Sequence, residues 1–139
     1  MKKYELTSET KVVAGKTLHR IKALVSFGNV AAGELGGWIE KEENLSQSGD
    51  AWVSGNARVS GVGAIFWIGG IGSRNGTTTF FACKDKKIRV VCGCFFGTLD
   101  EFERAVRETH GENEHAKVYM LAIEMAKARI DLTKVEADA

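Results

Sequence analysis

At 139 residues the chain has room for one compact domain or two very small ones, and 44% apolar with 27% charged residues is ordinary for a globular protein. A formal net charge of +1 argues against a nucleic-acid-coating protein and against an acidic DNA mimic, so direct nucleic-acid binding is not favoured. The longest apolar run, Val62 to Ile71, is too short and glycine-rich to cross a bilayer, and Met1 to Leu6 lacks the apolar core of a signal peptide, so the expected compartment is the cytoplasm, with no membrane partner.

Three cysteines, Cys83, Cys92 and Cys94, make an odd set that does not suggest a disulfide framework. With 16 glycines and no proline, the turns must be made by Gly, Asn and Asp.

In chain order, Tyr4-Glu5-Leu6 and Lys11-Val12-Val13 alternate as strand, Ala14-Gly15-Lys16 reads as a turn, and Thr17 to Leu24 as a second strand. A small antiparallel cap is expected there. Glycines at Gly28, Gly33, Gly36 and Gly37 break the chain before Trp38-Ile39-Glu40. Then comes an internal repeat: Gly49-Asp50-Ala51-Trp52-Val53-Ser54 is followed at once by Gly55-Asn56-Ala57-Arg58-Val59-Ser60, with a degraded third phrase from Gly61 to Phe66. The period stacks Val53, Val59 and Ile65 in one inward column and Ala51 and Ala57 beside it, the arithmetic of a left-handed parallel β-helix. One such coil has too little stacked surface to stand alone, so oligomerisation or docking onto the rest of the chain is expected.

Lys16-Thr17-Leu18-His19-Arg20-Ile21-Lys22-Ala23-Leu24, Gly33-Glu34-Leu35-Gly36-Gly37-Trp38-Ile39-Glu40, Asn44-Leu45-Ser46-Gln47 and Gly55-Asn56-Ala57-Arg58-Val59-Ser60-Gly61 resemble the N-terminal part of phage and prophage hexapeptide-repeat proteins. The stretches Gly72 to Phe81, Cys92 to Phe95, Gly97 to Phe102 and His110 to His115 are similar to a C-terminal module of the same proteins. The resemblance implies a small non-enzymatic accessory protein, a class that includes inhibitors of bacterial defence such as anti-CRISPR proteins.

From Ile65 the texture changes. Ile65 to Ile68, Thr77 to Ala82 and Lys87 to Val91 read as three strands joined by tight turns at 72–76 and 84–86. Thr98-Leu99-Asp100-Glu101 is a capping box that opens a helix with Leu99, Phe102 and Val106 on its apolar face and a stop at Gly111. A second helix from about Glu114 to Ile130 carries Ala116, Tyr119, Met120, Ile123, Ala126 and Ile130 on one stripe. The expected fold is α+β: a short β-solenoid-like part over 1–64, then over 65–133 a small antiparallel sheet covered by two helices, and a tail over 134–139.

Four candidate sites emerge. Arg74, Asn75 and Thr77, in a glycine-bounded loop, offer a guanidinium, backbone N–H groups and hydroxyls to a phosphate or carboxylate; the competing reading is a plain hairpin turn. Cys92, Cys94, His110 and His115 are ligand types that zinc accepts, but at a nonstandard spacing, so no metal and no cofactor are expected. Cys94, His110 and Asp100 are the only candidates for a thiol–imidazole nucleophile, and they carry no motif. Trp52 and Arg58 fill equivalent positions of consecutive phrases between inward residues, so they should share an exposed, partner-binding face. Trp38 and Trp67 are assigned to packing.

Three functions compete on this basis: a non-enzymatic protein that binds a bacterial host factor, a small-ligand or nucleotide-sequestering binder, and a structural homo-oligomer, dimeric or trimeric.

Overall fold

The computed structural model describes residues 2–13, 15–55, 57–59, 64–83, 85–93 and 95–132. The protein is α+β, with two four-stranded sheets and two helices. In the first sheet, β1 (Tyr4–Val13) and β2 (Lys16–Ala23) form a long antiparallel hairpin, and β2 pairs antiparallel with β3 (Leu35–Ile39). The polar stretch that separates the two expected strand pieces of β1 does not end the strand. A register shift between Leu6 and Thr10 absorbs it, and Thr7 Oγ1 donates to the Arg20 carbonyl across the irregularity at 2.8 Å.

β3 pairs in parallel with the two-residue β4 (Arg58–Val59), matching Trp38 with Arg58 and Ile39 with Val59. The partners are about twenty positions apart, near the three six-residue sides that one coil of a β-helix needs. The ladder is continued by Gly37 N–H to the Val53 carbonyl at 2.9 Å and Glu40 N–H to the Val59 carbonyl at 2.9 Å. It is the only parallel ladder among the described strands, so the phrases lie against β3 and the structure does not establish a solenoid; Gly61 to Gly63 of the third phrase lie outside the described residues. Ala51, Val53, Ala57, Val59 and Ile65 are all buried, as their period requires.

The second sheet is an antiparallel meander of β5 (Ile65–Ile71), β6 (Gly76–Ala82), β7 (Ile88–Cys92) and β8 (Phe95–Thr98), in that spatial order. The fourth strand was not among the expected three. α1 (Leu99–His110) and α2 (Glu114–Arg129) follow directly, α1 capped by Thr98, whose Oγ1 accepts from Glu101 N–H at 3.2 Å while Glu101 Oε1 accepts from Thr98 N–H at 2.8 Å. The tail over 134–139 lies outside the described residues.

One buried cluster runs from Tyr4 and Ile21 through Trp52 and Phe80 to Phe102 and Ile123. The repeat segment is the seam. Trp52 N–H donates to Thr79 Oγ1 of β6 at 3.2 Å, and Ala57 bridges Cys83 just past the end of β6. The meander thus packs directly against the repeat segment.

Candidate functional site

Trp52 and Arg58 do not form an exposed face. Trp52 is 1% exposed and Arg58 3%. The expectation assumed that a segment with inward Ala51 and Val53 must have an outward side. This segment instead lies between two sheets, and both of its sides are covered. The Trp52 ring meets Phe27 edge-on at 5.4 Å and Tyr4 at 6.5 Å. It also lies over Gly36, where a Cβ would stand 2.6 Å from Trp52 Cζ2 and 2.7 Å from the Val53 carbonyl oxygen. Trp38 is half-buried under two cations, with Lys11 Nζ 4.1 Å and the Arg20 guanidinium 5.9 Å from its ring. Trp67, assigned to packing, is 38% exposed on the edge strand β5.

Arg74 and Asn75 are exposed at the tip of the β5–β6 hairpin, with Thr77 half-buried at the start of β6. Asn75 sits at φ 53° and its N–H donates to the Gly72 carbonyl at 3.1 Å, which makes the loop a tight turn.

Of the soft-ligand set, Cys94 lies outside the described residues. Cys92 and His110 adjoin Tyr119 of α2, and His115 adjoins His110. The half-buried Cys92 Sγ is 3.7 Å from the Tyr119 hydroxyl and accepts from Thr78 Oγ1 at 3.3 Å. His110 stacks on Tyr119 with ring centroids 5.8 Å apart, and His115 lies 5.4 Å from His110. Phe102 closes on Tyr119 edge-on at 5.5 Å, and a small cavity of about 140 Å³ opens among Cys92, Phe102, Thr109 and Tyr119. Burial pushes the Tyr119 phenol above its ordinary range, reinforced by the Cys92 thiol. Among the described residues no three His, Cys, Asp or Glu side chains are placed to hold a metal, and no hydrogen bond joins Cys92 to an imidazole. The arrangement is an aromatic clamp between α1, α2 and β7.

The surface that the sequence reading missed is on α2. The helix buries Ala116, Tyr119, Ala122, Ile123 and Ala126, yet Val118, Leu121 and Met125 are exposed at 38%, 65% and 49%. Their spacing, i, i+3, i+7, is that of a helix–helix seam. Leu121 also lines a groove of about 650 Å³ between the two helices, with Ala116 and Met120 on its floor and Arg107, Lys117 and Glu124 on its rim. A second hollow, about 250 Å³, lies beside Trp67 and Phe66, with Glu43 and Arg129 at its edges. The signal was present in the sequence as a second apolar stripe interleaved with the first.

No family model matches the chain, and no solved structure matches it. Among curated proteins it is similar to one named "Uncharacterized acetyltransferase YdcK" from Escherichia coli strain K12, at 31% identity over 88 residues. The match covers 48% of this chain and 27% of that protein, so the chain spans about a quarter of its curated relative. The similarity fits a hexapeptide-repeat relationship and brings nothing on a phage origin or an anti-defence role. The relative's name speaks for an enzyme, which does not support the expectation of a non-enzymatic protein. No helix among the described residues is long and apolar enough to cross a membrane.

Proposed function

We propose that the chain is a non-enzymatic protein-binding module of an accessory, phage- or prophage-type protein, acting by presenting its helical hairpin to another polypeptide. The observation that carries this reading is the Val118, Leu121, Met125 seam, apolar and exposed on a helix whose opposite face already fills the core. An apolar seam bordered by charge is what a buried helix contact looks like before its partner arrives. In the terms of the resemblance, the associated protein then engages a bacterial host factor such as a component of a defence system. The second reading, acetyl transfer, is favoured by the name of the curated relative.

Two measurements on the purified protein separate the readings. Turnover of an acetyl donor with amine and hydroxyl acceptors is expected to be absent, and Leu121→Glu is expected to abolish binding to defined protein partners, a second copy included. Donor turnover that survives Leu121→Glu overturns the proposal and establishes the transferase reading.

A further inference from the structure

Resting on that reading, we infer that the occupant of the α2 seam is a second copy of this chain, packed with its α2 antiparallel across a two-fold axis near Met120 and Leu121. A two-fold interface must be complementary to itself. The seam meets this condition. With the axis there, Val118 of each copy faces Leu121 of the other, and Met125 covers the first turn of the facing helix. Lys117 and Glu124 lie one heptad apart on the same flank, so each lysine meets the other copy's glutamate and two ion pairs close the contact.

The opposite orientation fits less well. A parallel pair would bring Glu124 to Arg129 of the other helix, but Arg129 lines the hollow beside Glu43 and Trp67. It would also align the two helix dipoles, which the antiparallel arrangement opposes. Glu124 is free to exchange partners, because its present contact is a 3.4 Å approach to Lys127 between two exposed side chains. The charges on the far wall of the groove, Arg107 of α1 and Glu112 of the turn that follows it, are of opposite sign and leave no net repulsion there. The contact is small for a stable dimer, so association should depend on concentration.

The test is sedimentation of the full chain over a wide concentration range. Wild type is expected to pass from monomer to dimer, and Leu121→Glu to stay monomeric with an unchanged circular-dichroism spectrum. Lys117→Glu and Glu124→Lys should each weaken dimerisation by about tenfold, the size of two ion pairs replaced by repulsions. The double variant, which swaps the charges, should restore it. A wild type that is monomeric throughout overturns the inference, as does a dimer indifferent to Lys117→Glu; weakening by Glu124→Lys alone, without rescue, would show the parallel pair. If the chain is monomeric but Leu121→Glu still abolishes capture of a defined partner, the inference fails and the binding-module reading stands; if Leu121→Glu changes neither, both fail.

Discussion

The segment 51–59 and helix α2 pose the same physical problem and solve it differently. Each has a second side beyond the one that its first neighbour covers. The segment is held between the first sheet and β6, so Ala51, Trp52, Val53, Ala57, Arg58 and Val59 are all buried. Helix α2 is covered on one side only, and Val118, Leu121 and Met125 remain in water. Its neighbour α1 shows the usual solution, burying Phe102 and Val106 and facing solvent with Glu103, Arg104 and Arg107. A second side is therefore handled in two ways in this chain: in one place the fold itself covers it, and in the other the fold leaves it exposed.

The sharpest contrast is a charge placed in each region. Val59→Asp puts an unpaired carboxylate beside Ile39, where both residues are fully buried, and should cost more than about 4 kcal/mol, enough to abolish soluble expression. A soluble variant with an unchanged melting temperature would show that the seam is not packed as described. Trp52→Ala should cost about 3–5 kcal/mol, the range for deleting a large buried aromatic. Gly36→Ala should cost on the order of 1–3 kcal/mol, since the new methyl would meet Trp52 on one side and the Val53 carbonyl on the other. Chemical denaturation of the two variants reads both values, and a neutral Gly36→Ala would mean that the segment can move away from β3.

A pH effect of smaller size tests the same seam. Lys3 is buried, and its Nζ donates to the Ala51 carbonyl at 2.7 Å and the Gly49 carbonyl at 3.3 Å, with the Phe27 ring 4.8 Å away. Burial pulls its pKa down from 10.5 to about 8, with Asp50 opposing the shift. Between those values the unfolded chain binds the extra proton, so Lys3 makes stability rise with pH; its cost is fully present below pH 8 and gone above 10.5. Cys83, raised by burial to about 11, acts in the opposite sense above pH 9, and the raised phenols of Tyr4 and Tyr119 do so above pH 10. The measurement is therefore the difference between wild type and Lys3→Met from pH 7.5 to 9: the wild type should gain stability relative to the variant, and parallel curves would remove Lys3 from the account.

What was legible in the sequence follows from the same distinction. Elements with a local signal came through: the Thr98 and Glu101 capping box opens α1, and the stripe from Ala116 to Ile130 faces the core, with Met120 half-buried. The period of six put Val53, Val59 and Ile65 inside. Alternation failed at Trp52 because it presumes one wet face, and whether a segment has one depends on what packs over it from far along the chain. β8 was missed because Phe95-Phe96-Gly97-Thr98 does not alternate and follows a glycine turn; its pairing with β7, Val91 opposite Phe96, is what makes it a strand. Of the site residues, Cys92 and His110 each adjoin Tyr119, which the sequence offered only as a core residue, and His115 adjoins His110.

The smallest expected effect is the most telling. Leu121→Glu should change the stability of the monomer by less than about 0.5 kcal/mol, because an exposed side chain loses little native contact and glutamate is nearly as good a helix former as leucine. The new carboxylate would sit beside Lys117 and Glu124, one attractive and one repulsive neighbour on the groove rim, so electrostatics should nearly cancel. Measured by urea unfolding at a concentration low enough to keep wild type monomeric, the two midpoints should coincide; at high concentration wild type should unfold later and the variant should not, because only a chain that associates gains stability by mass action. A large loss at low concentration would mean that Leu121 is already covered within one chain, and the contrast between the closed segment and the open helix would then be lost.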